Sequence, residues 1–182
     1  MQFNRCSIPD VFEIVPVVHG DHRGFFLETW RLETFKAQGI SYDFVQDNQS
    51  MSLQGALRGL HYQIVNPQGK LIRVTKGEIF DVAVDLRKSS AYFRKWVGVN
   101  LSESNRKMVW VPPGFAHGFY VISETAEVCY KSTDYYYPEH ERVISWNDMD
   151  LSIDWPLVNE EPPVLSAKDS RGLSLDKAET FP

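Results

Sequence analysis

Short runs of β-branched and aromatic residues, separated by turn residues, fill most of the chain and constrain its fold more than any other feature. Such runs are typical of strands. Eight candidate strands precede a tyrosine-rich run at 127–137, and they cover 11–18, 25–30, 56–63, 70–77, 78–86, 93–101, 107–112 and 118–123. Only residues 31–39 are predicted to be a helix, which ends at Gly39. Its helical spacing comes from Leu32, Phe35 and Lys36.

A chain of 182 residues is long enough for one domain with its own core. Regularly spaced strands with one clear helix favour an all-β fold, a double-sheet jelly-roll sandwich or barrel, over alternating strands and helices. We therefore predict a single domain over residues 1–182, with a barrel core at about 10–137. In the segment 138–182, prolines predict loops and short peripheral helices wrapped over the barrel.

The two faces of the candidate strand at 78–86 carry different kinds of side chain. One face carries apolar side chains, namely Phe80, Val82, Val84 and Leu86. Asp81 and Asp85 alternate on the other face beside Ile79 and Ala83. Carboxylates inside a central strand need partners.

Composition excludes several classes of protein. With 19 Lys and Arg against 24 Asp and Glu, the net charge of −5 favours neither nucleic acid nor a membrane as a partner. An anionic ligand must then be held by a local basic cluster. Cys6 and Cys129 make no disulfide framework and indicate a reducing cytoplasm. We expect no secretory signal and no membrane helix, since no apolar run approaches ~20 residues.

The sequence argues against a metal centre and against nucleophilic catalysis. The segment PPGFAHG supplies His117 in the order seen in metal-binding barrels, but the earlier strand offers only His61, and a transition metal needs about three protein ligands. Cys129 lies in an apolar run typical of an inert thiol. No nucleophile elbow or phosphate-binding glycine loop occurs. Gly59 is a candidate bulge that would let Arg58 and His61 face the same way.

Six segments in order along the chain carry a resemblance to a known family. They are HGDHRGFFLETW (19–30), FVQDNQSMS (44–52), LRGLHYQ with GKLIRVTKGEIFDVAVDLR (57–87), VPPGFAHGF (111–119), YKSTDYYYPEHER (130–142) and SAKD (166–169). Together they resemble the dTDP-4-dehydrorhamnose 3,5-epimerases of nucleotide-sugar biosynthesis. The resemblance implies a cupin-type jelly roll with no catalytic metal and no cofactor, which acts on a dTDP-4-keto-6-deoxyhexose. It also implies a homodimer in which strands cross between subunits.

The reaction implied by this resemblance inverts C3 and C5 beside a ketone, through an enolate. It needs a base on one face, a proton donor on the other, and positive charge at the enolate oxygen. The resemblance assigns His61 as base, Asp169 as its orienting carboxylate, Tyr130 as proton donor and Lys70 as the cation at the oxygen. Taken singly, Asp169 fits a turn or helix cap better, Lys70 fits a solvated strand end better, and Tyr130 could be a core aromatic. The order of the motifs favours the catalytic roles.

The resemblance also assigns the residues that bind the substrate. Arg23 and Arg58 match the contacts to the diphosphate, which suits a bidentate guanidinium. Tyr136 matches the aromatic that stacks on thymine. The other matching positions are Glu28, Gln46 and Asn48 for the nucleoside, and His117, Glu141 and Lys168 elsewhere in the site.

Three alternatives stay open on sequence alone. The first is a mono-epimerase that inverts only C3 or only C5, because that choice depends on how the sugar is placed. The second is a non-catalytic sugar-binding cupin, which would have no need of a base and an opposing acid. The third is a metal-dependent cupin oxygenase or isomerase, disfavoured by the missing His-x-His pair.

Overall fold

Thirteen strands and one short helix make up the computed structural model, which describes residues 1–182. In chain order the strands are β1 (Gln2–Arg5), β2 (Phe12–Val15), β3 (Val18–Asp21), β4 (Gly24–Leu27), β5 (Gln46–Leu53), β6 (Leu57–Gln63), β7 (Lys70–Lys76), β8 (Glu78–Asp85), β9 (Trp96–Ser102), β10 (Met108–Val111), β11 (Phe115–Val121), β12 (Thr125–Ser132) and β13 (Glu141–Val143). The helix α1 is Leu32–Lys36. Short 3-10 turns lie at Pro138–His140, Val158–Glu160, Asp169–Arg171 and Leu175–Lys177.

Two antiparallel sheets form a sandwich. One has six strands in the order β1, β2, β10, β7, β12, β5, and the other has five in the order β13, β6, β11, β8, β9. The strands β3 and β4 form a separate hairpin. The inner faces pack on one another through apolar side chains such as Ile72, Val128, Ala83 and Phe119. The predicted all-β jelly-roll architecture is confirmed, and it resembles the cupins.

The outer face of the five-stranded sheet is covered by the C-terminal segment. Leu151, Trp155 and Leu175 pack against the outward side chains of β6 and β8. The cover is also tied down by polar contacts, because the Tyr62 hydroxyl donates to the Glu179 carbonyl at 2.5 Å. This packing fixes the turn that carries Asp169.

The outer face of the six-stranded sheet is only partly covered. Helix α1 buries Phe35 against Phe12 and Trp110. The turn that follows the helix ends at Gly39, whose φ of +84° is available to glycine at low cost. Beside this covered region, the β3–β4 hairpin exposes Phe25 and Phe26, at 60% and 69%. An apolar surface of this kind is typical of an interface.

The alternation predicted for β8 is confirmed. Val82 and Val84 pack under the C-terminal cover, and Ala83 faces the core between the sheets. Both buried carboxylates have partners: Asp81 contacts His117, and Asp85 accepts from Arg87 at 2.7 Å.

The strands β1, β5 and β13 were not predicted, and β3 was not predicted as a strand separate from β2. β13 lies in the segment 138–182, where loops and short helices were expected. For β1 and β5 the composition explains the miss. β1 and β5 are rich in amide and charged side chains, so neither has the apolar alternation that marks a strand. Both pair along one edge with a strand that does have that signal, β2 for β1 and β12 for β5. The helix is also shorter than the predicted 31–39. No helix in the structure is long and apolar enough to cross a membrane.

Candidate active site

A cavity of about 290 Å³ opens between the two sheets. One wall comes from β6 and β11 and carries His61 and His117. The opposite wall comes from β5, β7 and β12 and carries Asn48, Lys70 and Tyr130. The two walls therefore present ionisable side chains to each other across one space.

His61 and Asp169 form a close pair at the side of this cavity. The imidazole Nε2 lies 2.5 Å from Oδ1 of Asp169, although the two residues are 108 positions apart. Asp169 is buried, and its other oxygen accepts from Ser166 at 2.7 Å. Because a carboxylate can only accept, Nε2 carries the proton and Nδ1 is the free nitrogen.

The ionisation of this pair suits a base. Burial lowers the pKa of His61 and outweighs the raising effect of Asp169. The pKa of Asp169 is also lowered, since its hydrogen bonds from His61 and Ser166 outweigh its own burial. At neutral pH the pair is therefore a neutral imidazole beside a carboxylate.

A bulge at Gly59 aims two side chains into the cavity. On β11, Phe119 pairs with Arg58 and His117 pairs with His61, so β6 contains one extra residue between the pairs. Gly59 has φ +130°, and a Cβ there would lie 2.5 Å from the Cα of Gly118. Arg58 and His61 both line the cavity, so the bulge predicted at this glycine is confirmed.

Tyr130 and Lys70 lie on neighbouring strands of the wall facing His61. Burial raises the pKa of Tyr130, so its hydroxyl stays protonated at neutral pH. Burial lowers the pKa of Lys70 to about 8, against the raising effects of Asp81 and Glu141. The wall thus holds a phenol that can donate a proton and a compact cation.

The mouth of the cavity has a connected set of polar groups. Tyr136 donates through its hydroxyl to Glu141 at 3.1 Å, and Lys168 bonds the same carboxylate at 2.9 Å. The backbone N–H of Tyr136 donates to the amide oxygen of Gln46, whose amide nitrogen donates to Asn48. These contacts fix the Tyr136 ring at the cavity edge, where one face can receive a flat ligand.

Arg58, which also lines the cavity, is held by its own hydrogen bonds. Its Nε donates to the Ser52 hydroxyl at 2.9 Å and its Nη2 to the Met51 carbonyl. A guanidinium fixed in this way has donors left for an anion.

Arg23 and Glu28 are the two expected site residues that the structure does not bring to this cavity. Arg23 lies on the β3–β4 hairpin, where it is 78% exposed and paired with Asp21. Glu28 follows the same hairpin and bonds Arg31. Neither lines the cavity of its own chain.

Other lining residues were missed by sequence reasoning. Ser132 is two positions after Tyr130 and Gln63 two after His61, so strand alternation could have placed both on the inner face. The hydroxyls of Ser50 and Ser132 and the amide nitrogen of Asn48 are buried without a partner. Such groups are available to a polar ligand. No cluster of three or more His, Cys, Asp or Glu is arranged to hold a metal.

Comparison with known proteins gives consistent results. The family model for dTDP-4-dehydrorhamnose 3,5-epimerase matches residues 5–177. The enzyme of that name from Pseudomonas aeruginosa is 54% identical over 100% of both chains. The one from Shigella flexneri is 50% identical over 100% of this chain and 99% of its own. A crystal structure of dTDP-6-deoxy-D-glucose-3,5-epimerase from Legionella pneumophila, in complex with dTDP-4-keto-L-rhamnose, superposes with a TM-score of 0.95 at 47% identity and covers 98% of this chain and 94% of that one.

Proposed function

The chain belongs to the dTDP-4-dehydrorhamnose 3,5-epimerase family, and we propose that the two walls of its cavity supply the base and the acid of that reaction. The activity inverts C3 and C5 of dTDP-4-keto-6-deoxy-D-glucose and yields dTDP-4-keto-L-rhamnose. The observation that carries the residue assignment is that His61 and Tyr130 come from opposite sheets and face one cavity. A stereocentre is inverted when the proton leaves one face and another arrives on the opposite face.

In the proposed mechanism, Nδ1 of His61 removes the proton from a carbon beside the ketone. The C–H electron pair forms the C=C bond of the enolate, and the π pair of the ketone moves to its oxygen. Asp169 stabilises the resulting imidazolium. The Lys70 ammonium lies near the enolate oxygen and offsets its negative charge. Tyr130 then donates its proton to the opposite face of the carbon.

His61 and Tyr130 must return to their starting protonation states between the two inversions. After the first, the imidazolium holds one proton more than before and the phenolate one fewer. Exchange with water returns both groups to their starting states before the second carbon reacts. No electron transfer occurs in this sequence and Lys70 supplies the positive charge at the enolate oxygen, so we propose that the enzyme uses no cofactor and no metal.

The nucleotide is proposed to bind at the mouth of the cavity. Arg58 contacts the diphosphate, and thymine stacks on the exposed face of Tyr136. This assignment rests on the hydrogen bonds that hold the Arg58 guanidinium and the Tyr136 backbone in place. Around them, Gln46, Asn48, His117, Glu141 and Lys168 provide polar contacts.

We also propose that the protein is a homodimer. Arg23 and Glu28 lie outside the cavity of their own chain, on or next to a hairpin that exposes Phe25 and Phe26. If the hairpin packs on a second copy, its apolar surface is buried and Arg23 can reach the partner's diphosphate site. A cytoplasmic location is part of the proposal, since Cys6 and Cys129 are free thiols.

The test is proton NMR of dTDP-4-keto-6-deoxy-D-glucose in deuterated water. We expect the parent enzyme to exchange and invert both C3 and C5. His61→Asn should abolish exchange at both carbons, because no enolate forms without the base. Tyr130→Phe keeps the base, so exchange should continue while inverted product falls on the order of 10²–10⁴-fold.

The matched control is Tyr135→Phe, which removes a hydroxyl from an exposed neighbouring tyrosine. It should invert both carbons at the parent rate. Normal inversion by Tyr130→Phe would assign the donor elsewhere, and exchange at one carbon only in the parent would indicate a mono-epimerase.

A further inference from the structure

A second histidine–carboxylate pair lies next to the first on the inner wall of the cavity. His117 on β11 is the direct cross-strand partner of His61 on β6. Its Nε2 lies 2.8 Å from Oδ2 of Asp81 on β8, and no other donor bonds this carboxylate. His117 is 8% exposed and Asp81 is 1% exposed. The mechanism above uses His117 only as a binding group and does not use Asp81.

A single hydrogen bond does not fully offset the cost of removing a carboxylate from water. The Lys70 ammonium lines the same cavity, as do Arg58 and Lys168, and Lys70 forms no ion pair with any carboxylate. Burial lowers the pKa of Lys70, and Asp81 is the first of the groups that raise it. Glu141 also raises it and Lys168 lowers it. The other titratable side chains that line this cavity are Arg58, His61, Tyr62, His117, Tyr130 and Tyr136.

We propose that Asp81 is a positioning residue of the active site, which acts through His117 and Lys70 without contacting substrate. This inference rests on the function proposed above. Because a carboxylate accepts only, Asp81 holds His117 as the Nε2–H tautomer, which leaves Nδ1 as an acceptor. Nδ1 can then accept from a sugar hydroxyl. The same buried charge keeps Lys70 protonated for the enolate oxygen.

The proposal is tested first in the protein without substrate, by NMR on ¹⁵N-labelled histidine and lysine. In the parent, His117 should be the Nε2–H tautomer when neutral. In Asp81→Asn, which keeps the side-chain shape, the tautomer is no longer fixed because an amide can donate or accept. The midpoint of Lys70 should fall by on the order of one pH unit, because its counter-charge is lost.

The matched control is Asp85→Asn. Asp85 is another buried carboxylate on β8, but it is bonded to Arg87 and Ser90 and does not line the cavity. This variant should lose thermal stability without changing the His117 tautomer or the Lys70 midpoint. A purely structural role for Asp81 predicts the same outcome for both variants.

Activity gives a second readout. In Asp81→Asn the alkaline limb of kcat/KM should move to lower pH by the same amount as the Lys70 midpoint. An unchanged Lys70 midpoint in folded Asp81→Asn overturns the proposal. So does an Nδ1–H tautomer of His117 in the parent, which is decisive even if the variant does not fold. A parent enzyme that leaves the keto sugar unchanged refutes the proposed function instead, and the NMR result on Asp81 stands apart from it.

Discussion

His61 and Lys70 set a window of pH in which the site is correctly charged. Burial holds the pKa of His61 below its ordinary 6.5, and holds that of Lys70 at about 8. The proposed mechanism requires a neutral His61 and a cationic Lys70. We therefore expect kcat/KM to rise as His61 loses its proton below pH 6.5, and to fall above about pH 8 as Lys70 loses its own. Initial rates of product formation across pH 5–10 measure this.

Lys70→Arg separates the two limbs, because a guanidinium stays charged throughout this range. The variant should be slower, since the guanidinium has a different shape. Its alkaline limb should nevertheless disappear from the region of pH 8, with the acid limb unchanged. An alkaline limb that stays in place would assign that titration to a group other than Lys70.

The carboxylate behind His61 can be tested separately from the turn that holds it. Asp169→Asn removes the charge that stabilises the imidazolium, and we expect kcat to fall on the order of 10²–10⁴-fold. Ser166→Ala removes the 2.7 Å hydrogen bond to the other oxygen and the acceptor of the Asp169 backbone N–H. It leaves the carboxylate in place and should cost less than about tenfold. Equal losses in the two variants, measured by steady-state kinetics on folded protein, would mean that Asp169 serves mainly to shape the turn.

The sequence predicted some properties of these side chains and not others. Alternation in β8 placed Asp81 on one face of a central strand and indicated that it needs a partner. No local pattern could join His61 to Asp169, because 108 residues separate them; that pairing came from the family resemblance. The lowered pKa of Lys70 could not be predicted from sequence either, since it depends on burial produced by the assembled sheets.

The bulge in β6 is an element on which the site geometry depends. A methyl group at Gly59 would lie 2.5 Å from the Cα of Gly118 and 2.9 Å from the carbonyl oxygen of His117. We expect Gly59→Ala to lower the free energy of unfolding by at least about 3 kcal/mol, through clash and backbone strain. Urea denaturation measures this loss.

Gly24→Ala is the control for backbone strain alone. Gly24 has a similar φ of +133°, but a Cβ there would meet no atom within 4 Å. Its substitution should cost about 1–2 kcal/mol. If the two variants were equally stable, close packing at Gly59 would not be what requires the glycine.

Strand signals were strong where both faces of a strand are buried and weak at the edges. β8 and β11 lie inside their sheet and were predicted from apolar and aromatic residues. β5 is an edge strand with polar side chains, and its pairing with β12 supplies the structure that its composition does not predict. The bulge at Gly59 was predictable because a glycine inside a strand signals one.

The exposed hairpin carries the prediction about assembly. Replacing Phe25 and Phe26 with serine removes apolar surface, so we expect the dimer to dissociate into monomers in light scattering. Affinity for thymidine diphosphate should fall about tenfold or more, because Arg23 no longer contributes a charge-assisted contact. The control is Met149→Ser, which removes an 87% exposed apolar side chain elsewhere. A double serine variant that remains dimeric would place the interface on another surface.

The long separation between His61 and Asp169 has a consequence for protein synthesis. Translation delivers the imidazole early, whereas its carboxylate partner follows 108 residues later. Until the turn that carries Asp169 has left the ribosome, the nascent polypeptide cannot form this pair. A message cut short before this turn yields a product in which the proposed base lacks its carboxylate.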